Sequence, residues 1–190
     1  MKIKHSFYLQ DDVVQLAHDL IGKYLFTRID GVLCGGYITE TEAYAGIVDR
    51  ASHAWGGRRT ARTEIMYREG GFAYVYLCYG IHSLFNIVTN LRGIPHAILI
   101  RGIYPTHGVE LMLDRAGKPK FTKDLGKGPG KVSKILGIST IHNGENLMGE
   151  RIWLEDKCLE ISNLQVMATK RIGIDYAAEH SLLLYRFVVK

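Results

Sequence analysis

Apolar residues recur near the start of the chain at two different spacings. Between Asp11 and Leu25 they fall three and four positions apart, which is the spacing of one helical face: Val13, Val14, Leu16, Ala17, Leu20, Ile21. Asp11 or Asp12 is placed to cap the first turn, and Gly22 to mark the last one. From Tyr24 onward the apolar residues alternate with polar ones, which predicts strands.

The alternating segments continue through most of the chain. Strands are predicted over Tyr24–Arg28, Val32–Tyr44, Phe72–Tyr79, His82–Thr89, His96–Tyr104, Arg151–Leu154 and Leu182–Val189. Short helices are predicted over Gly108–Arg115 and Gly130–Leu136. Helices and strands interleave without a strict βαβ order, and no repeat or linker divides the chain. We therefore predict one mixed α/β (α+β) domain over residues 1–190, built around a curved, largely antiparallel sheet with a protruding β-hairpin.

Composition adds few constraints. The 190 residues are 47% hydrophobic, enough to fill a core without disulfides or a structural metal, and the net charge of +5 favours an anionic partner. Cys34, Cys78 and Cys158 are widely spaced, which indicates neither a disulfide framework nor a zinc knuckle and fits a reducing cytoplasm. The first twelve residues do not read as a signal peptide, and no later stretch reaches the roughly 18 apolar residues of a membrane span.

Two basic segments stand apart from the alternating pattern. Arg58, Arg59, Arg62 and Arg68 follow Gly56-Gly57, and lysines crowd the segment 118–134 around Gly128-Pro129-Gly130. Taken alone, such runs are more often solvated loops than binding sites. Backbone amides near Gly128 could nevertheless approach a phosphate closely. A P-loop is excluded, because Leu125 and Val132 stand where that motif requires Gly and Ser or Thr.

One strand carries an unusual set of side chains. In a regular strand over Val32–Tyr44, the side chains of Ile38, Glu40, Glu42 and Tyr44 project to one face, placing two carboxylates beside an aromatic ring. Without further context, a solvent-exposed pair is the commoner explanation. Periodicity alone does not separate Glu40 from Glu42.

Aromatic residues cluster in the next predicted hairpin. Tyr74 and Tyr76 share one face of the incoming strand, and Tyr79-Gly80 lies where a tight turn is expected. His53 could contact a base edge or be an ordinary loop histidine. Aromatic faces beside basic loops are suited to hold an unstacked base next to a phosphate backbone. The chain has no H-E-x-x-H motif, Cys/His cluster or G-x-S-x-G elbow, so we expect neither a metal nor a cofactor.

Several of these segments together resemble the alkyladenine (3-methyladenine, methylpurine) DNA glycosylase family. The resemblance is carried, in this order and spacing, by ETEAY (40–44), ASHAWGGRRT (51–60), FAYVYLCYG (72–80), Asn86-Ile87, Arg101 and GPGK (128–131). Weaker likeness extends over nearly the whole chain. The resemblance implies a monofunctional, metal-independent enzyme that flips alkylated or deaminated purines out of duplex DNA and hydrolyses the N-glycosidic bond, leaving an abasic site.

The resemblance also implies a role for individual residues. Glu42 would activate a water held near the sugar by Glu42, Arg101 and the Asn86–Ile87 backbone region. The base pocket would consist of Tyr44, His53, Tyr76 and Asn86, with Asn86 disfavouring normal guanine. Tyr79 at the hairpin tip would enter the minor groove. For the DNA backbone, the basic loops offer Arg58, Arg62, Lys127 and Lys131.

We therefore expect a monomer in the cytoplasm, associated with the nucleoid, whose partner is double-stranded DNA containing damaged purines. Three alternatives remain at this point. One is a non-enzymatic nucleic-acid binder that uses the same basic loops and tyrosines. A second is a hydrolase or transferase acting on a small nucleoside or nucleotide, which would not need Tyr79. The third is a bifunctional glycosylase and lyase that forms a Schiff base through a lysine.

Overall fold

An antiparallel sheet organises the fold in the computed structural model, which describes residues 1–157 and 165–190. The described residues form eight strands: β1 (Tyr24–Ile29), β2 (Val32–Tyr44), β3 (Ala73–Cys78), β4 (His82–Thr89), β5 (His96–His107), β6 (Ile152–Glu155), β7 (Val166–Thr169) and β8 (Arg186–Val189). The main order is β3-β4-β5-β2-β1-β6, and β8 pairs with both β2 and β7. The prediction of a mixed α/β domain around an antiparallel sheet is confirmed.

Short helices surround this sheet. They are α1 (His5–Tyr8), α2 (Val13–Asp19), α3 (Val109–Ala116) and α4 (Pro129–Leu136). Single turns and short runs of 3₁₀ helix occur at Gly46–Val48, Trp55–Gly57, Glu64–Tyr67, Thr140–His142 and Asp175–Leu182. No helix within the described ranges is long and apolar enough to cross a bilayer.

Helix α2 begins where the sequence predicts and ends earlier. The Asp12 carboxylate accepts hydrogen bonds from the backbone N–H groups of Val14 and Gln15, both at 2.9 Å, so Asp12 is the N-cap of α2. Gly22 adopts a φ of 81°, which a right-handed helix does not accommodate. The chain therefore turns there and enters β1 at Tyr24, whereas the apolar spacing extended the helix to Leu25.

The largest apolar cluster joins α2, α3 and α4 to one face of the sheet. Its fully buried members include Leu16 from α2, Ile38 from β2, Ile100 from β5 and Leu136 from α4. Along one edge, β2 pairs with β5 over most of its length. On its other edge it pairs first with β1 and then, over Glu40 to Glu42, with β8. The two glutamates therefore lie in the interior of the sheet.

The β3–β4 hairpin extends beyond the rest of the sheet. Its register runs from Ala73 opposite Ile87 to Cys78 opposite His82. Among the described strands, β5 pairs with β4 only from Asn86 to Thr89, so the outer half of the hairpin has no further neighbour in the sheet. This difference in pairing length produces the protruding hairpin that the sequence predicts.

The C-terminal region departs most from the sequence-based expectation. Leu182–Val189 was expected to be one strand, but 3₁₀ structure runs through Asp175–Leu182 and β8 begins only at Arg186. The pattern also did not indicate α1 or β7, which are each four residues long. Such short elements are formed by their tertiary partners rather than by local periodicity. Cys34 and Cys78 are free thiols, and Cys158 lies outside the described residues.

Candidate active site

Irregular pairing in the middle of β2 sets the direction of its polar side chains. The register between β2 and β5 shifts between Ile38 and Glu40 and again between Glu40 and Thr41. The simple alternation that places Ile38 beside Glu40 is wrong: Ile38 lies in the main core, and the Thr41 hydroxyl bonds to Ala17 of α2. A bulge changes which face successive side chains take. Both glutamates consequently reach Arg101 across the sheet.

Glu42 is completely buried and surrounded by hydrogen-bond donors. Its Oε2 accepts a hydrogen bond from the Tyr44 hydroxyl at 2.8 Å, and its Oε1 accepts one from the backbone N–H of Ile172 at 2.8 Å. Arg101 Nε lies 3.4 Å from Oε1. Burial raises the pKa of the Glu42 carboxyl above its usual value, while Arg101 and the two hydrogen bonds oppose that rise. The site thus holds a carboxylate that has no solvent-exposed surface and a raised pKa.

Glu40 is bonded quite differently. Its Oε1 accepts hydrogen bonds from Arg101 Nε at 2.9 Å and from Arg186 Nε, in β8, at 2.6 Å. Two guanidinium groups therefore engage the same carboxylate oxygen. This arrangement holds Arg101 beside Glu42 and leaves Glu40 as part of the support for the arginine.

A row of cross-strand neighbours aligns the site. The row begins at Arg186 of β8 and continues through one residue on each of the next four strands, β2, β5, β4 and β3: Glu42, Leu99, Asn86 and Tyr74. Residues directly opposite one another project to the same face of a sheet. The row therefore extends from the buried carboxylate to the aromatic part of the hairpin. Asn86 is held within it by hydrogen bonds from its Nδ2 to the carbonyl oxygens of Tyr74 and Leu84.

Aromatic rings and a histidine form one wall of the site. His53 Nδ1 lies 2.7 Å from the Tyr74 hydroxyl, and the His53 ring meets the Tyr76 ring edge-on with centroids 4.8 Å apart. Burial, with Arg62 and Arg58 nearby, lowers the pKa of His53 to about 4. His53 is therefore neutral at physiological pH. Burial and the neighbouring Glu42 raise the pKa of Tyr44, so its hydroxyl stays protonated and able to donate.

These groups border an open cavity of about 710 Å³. Its lining includes five of the residues assigned to chemistry or base binding from the sequence: Tyr44, His53, Tyr76, Asn86, Arg101. Glu42 has no exposed surface and is in contact with three lining residues, Tyr44, Arg101 and Ile172. A volume of this size accommodates a nucleobase with its sugar.

One backbone group in contact with the Glu42 carboxylate was not identified from the sequence. The resemblance assigned the Asn86–Ile87 backbone to holding a water near the sugar; in the structure Ile87 is buried in the main core and Leu99 lies between Asn86 and Glu42 in the cross-strand row. The backbone N–H of Ile172 donates to the carboxylate. Its segment follows β7 and lies more than a hundred residues from β2 in sequence, so no local pattern indicates the contact.

The exposed hairpin tip lies at the cavity margin. Tyr79 is 90% exposed and adopts a φ of 50°, and Gly80 follows with a φ of 72°, as a tight turn requires. Leu77 and Ile81, on either side, are also exposed. Tyr79 lines the cavity opening although most of its surface faces solvent. The turn predicted at Tyr79-Gly80 is confirmed.

The predicted phosphate-binding residues lie at different parts of the rim. Arg62 stacks over the Tyr76 ring at 4.7 Å, and Lys127 and Lys131 also line the cavity, at the start of α4. Lys127 Nζ lies 3.6 Å from the exposed Asp124 carboxylate. Arg58 is exposed on the loop after Trp55–Gly57 and is close enough to influence His53. Three of the four cationic residues thus border the cavity itself.

A buried ion pair next to the site was not identified from the sequence. Arg171 and Asp49 are both inaccessible to solvent, and Arg171 Nη2 lies 2.9 Å from Asp49 Oδ1. Burial alone would raise the pKa of Asp49, but Arg171 and two backbone N–H groups hold it below its usual value. The partners are 122 positions apart, so only the tertiary structure reveals the pair.

Within the residues that the structure describes, no three His, Cys, Asp or Glu side chains converge as a metal site would require. The charged groups near the cavity instead form the contacts already described. The functional groups that the structure brings together at the site are a buried carboxylate, two arginines, a neutral histidine and tyrosine hydroxyls.

Comparisons with a family model and with individual proteins match this chain to the same family. The family model described as methylpurine-DNA glycosylase matches residues 6–190. A protein of Chlamydia felis named "Putative 3-methyladenine DNA glycosylase" is 45% identical over 190 residues, covering 98% of this chain and 95% of the relative. A Clostridium acetobutylicum protein of the same name is 40% identical over 197 residues, covering 100% of this chain and 95% of the relative.

Proposed function

The chain belongs to the methylpurine-DNA glycosylase family, and we propose that it flips alkylated or deaminated purines out of duplex DNA and removes them with a water activated by Glu42. It is a DNA glycosylase, a hydrolase of N-glycosyl bonds that acts in base-excision repair of alkylated purines. The observation that carries the finer proposal is a fully buried carboxylate in contact with Tyr44, Arg101 and Ile172, three residues that line an aromatic cavity.

Glu42 is suited to both requirements of the reaction. Breaking an N-glycosidic bond builds positive charge on the sugar, which a nearby carboxylate stabilises, and the attacking water must lose a proton. The three donors around Glu42 keep its ionised form accessible despite burial. Each carboxylate oxygen has two acceptor positions, so Glu42 retains acceptor capacity for a water, which would have to enter between the lining residues because the carboxylate has no exposed surface. In this proposal Arg101 helps to hold that water.

The aromatic wall is suited to the base. Alkylation at ring nitrogens makes a purine such as 3-methyladenine cationic and electron-poor, and a cation gains about 0.5–2 kcal/mol against an aromatic face. Tyr44 and Tyr76 would provide those faces, with His53 at the base edge. Because His53 is neutral, it adds no positive charge to repel a cationic base. The same pocket would accept neutral lesions such as hypoxanthine and ethenoadenine, while Asn86 would disfavour normal guanine.

The exposed groups around the cavity provide the DNA contacts of the proposal. Tyr79 would occupy the space that a flipped base leaves in the stack, at the end of a hairpin free to enter the minor groove. Arg58, Arg62, Lys127 and Lys131 would contact phosphates on either side. The proposal further includes residues 1–190 acting as one glycosylase domain, as a monomer associated with the nucleoid.

The test uses duplex oligonucleotides that each carry one hypoxanthine, ethenoadenine or 7-methylguanine. After incubation with the protein, alkali cleaves the strand wherever a base has been removed. Breakage at the lesion, absent from undamaged duplex, is the expected result, and intact strands with every lesion would overturn the proposal. Breakage before alkali, with borohydride trapping of a covalent DNA complex, would instead indicate the bifunctional lyase alternative.

A further inference from the structure

The loop after β7 contacts Glu42, the proposed general base. The backbone N–H of Ile172 donates to Glu42 Oε1 at 2.8 Å, although Ile172 as a whole residue is 51% exposed. An exposed side chain contributes little to fixing its own backbone. The position of this donor must therefore be set by neighbouring residues.

Arg171, the preceding residue, is the group that attaches this loop to β2. Its side chain is fully buried, and its Nη1 donates to the carbonyl oxygen of Ala43 at 2.8 Å. The guanidinium also lies over the Tyr44 ring at 4.9 Å. Ala43 and Tyr44 directly follow Glu42, and Tyr44 donates to it. The Arg171 guanidinium thus contacts the residues next to both neutral donors of the Glu42 carboxylate, which are the Tyr44 hydroxyl and the Ile172 N–H.

Asp49 fixes Arg171 in turn. Its two oxygens accept from the two terminal nitrogens of the guanidinium, a bidentate arrangement, and they also accept backbone N–H bonds from Ala45 and Ala51. These bonds tie the pair to the loop that follows β2. A buried ion pair is by itself a weak source of stability, because removing both charges from water offsets their attraction. Its geometry beside Glu42 suggests a different role.

We propose that Asp49 and Arg171 are positioning residues that hold the Ile172 N–H and the Tyr44 hydroxyl on the Glu42 carboxylate. The proposal rests on the proposed catalytic role of Glu42. Neither residue touches the reacting atoms in this arrangement. They act by fixing where the carboxylate points and how readily it ionises.

Three variants separate this role from simple support of the fold. Asp49→Leu/Arg171→Met removes both charges together, which leaves no buried charge without a partner. Arg171→Lys keeps the charge and loses the planar fork that makes the bidentate contact. Glu179→Gln is the matched control, because Glu179 forms an exposed ion pair that joins Arg50, the neighbour of Asp49, to the 3₁₀ segment Asp175–Leu182.

The informative measurement is single-turnover excision of hypoxanthine from a duplex as a function of pH. Titratable and charged groups from several elements surround Glu42. They are Arg101 from β5, Glu40 and Tyr44 within β2, and Arg171 and Tyr176 from the region after β7. Arg186 of β8 bonds to Glu40. Asp49 and Arg171 carry opposite charges, so removing both leaves the net charge around Glu42 unchanged. Loss of the Ile172 hydrogen bond should then raise the pKa of Glu42 and move the acid limb of the rate to higher pH by about one unit.

We expect the double variant and Arg171→Lys to excise at least about tenfold more slowly at neutral pH, with lesion-duplex affinity retained and the control unchanged. The acid limb should shift in the double variant, and adding the double change to Glu42→Gln should cause no further loss. A slower rate with an unshifted acid limb, or a parent rate in the folded double variant, would overturn the positioning role. Should the double variant fail to fold, Arg171→Lys at the parent rate would overturn it equally. If Glu42→Gln itself is fully active, the proposed function fails instead.

Discussion

Replacing Glu42 with glutamine is the most direct perturbation of this site. The substitution keeps the side-chain size and removes the charge, while Tyr44, Ile172 and Arg101 remain in contact range. A positioned general base typically contributes about 10²–10⁴ in rate, and loss of negative charge beside a developing cation adds to that. We therefore expect single-turnover excision to fall by at least about a hundredfold.

Affinity for the lesion should change much less. Glu42 has no exposed surface, so it contributes little to contacts with a bound base before the bond begins to break. A group that acts mainly in the transition state lowers the chemical rate and leaves substrate binding nearly unchanged. Binding of Glu42→Gln to a hypoxanthine duplex, measured by fluorescence anisotropy, should match the parent protein.

The Glu42→Gln variant should be at least as thermally stable as the parent, although it is less active. The pKa of Glu42 is raised in the folded protein, so the folded state favours the protonated carboxyl. The stability that protonation confers is fully present below the unfolded pKa and is lost as the pH rises through the folded value. At pH 7.5 the ionised form is therefore the unfavourable one, and Glu42→Gln should melt at the same temperature as the parent or higher. Excision by the parent should decline as the pH falls through that same raised pKa.

The neighbouring Glu40 offers a matched control. Both of its arginine partners bond to the same oxygen, Oε1, which a glutamine retains as an acceptor. Glu40→Gln should therefore cost far less activity than Glu42→Gln, with enzyme in excess and alkali cleavage of the product as the assay. Excision by Glu42→Gln at nearly the parent rate, or an inactive Glu40→Gln, would refute the catalytic assignment.

The remaining predictions concern DNA contacts and specificity. Tyr79→Ala should weaken lesion-duplex binding by about 1–3 kcal/mol, the contribution of one stacking aromatic, whereas Tyr104→Ala, remote from the cavity, should not; full affinity in Tyr79→Ala would argue against insertion. Asn86→Ala should release normal or methylated guanine while still excising adenine lesions. A purine release profile identical to that of the parent would show that Asn86 does not discriminate against guanine. Neutralising Lys127 and Lys131 should flatten the salt dependence of duplex binding, which otherwise falls by about 0.9 in log affinity per log salt for each phosphate neutralised. An unchanged slope would place the DNA surface elsewhere.

The sequence by itself determined most of the local structure. The cap at Asp12, the turn at Tyr79-Gly80 and the strands β2 to β5 follow from signals within a few residues of each position. Capping, alternation and positive φ at a turn are local properties, so they can be identified without knowing the rest of the fold. The aromatic cavity was also predictable in outline, because the resemblance placed most of its residues together.

Side-chain direction near the carboxylates depended on the tertiary structure. Regular alternation gave Ile38 the same face as Glu40, whereas the shifted register against β5 places Ile38 in the core. A bulge arises from the way two strands pair, and one strand read alone does not reveal its partner's register. The same pairing decides that Glu40 binds two arginines and that Glu42 receives neutral donors.

The surroundings of Glu42 were decided by contacts distant in sequence. Ile172 reaches it from 130 positions away, and Arg171 reaches Asp49 from 122 positions away. Neither contact leaves a periodic trace, because each depends on a loop brought against β2 by the packing of β8 and the 3₁₀ segment Asp175–Leu182. The sequence therefore indicated which carboxylate to consider. Only the folded chain showed what holds it in place and sets its pKa, since both depend on burial and on donors that converge in space.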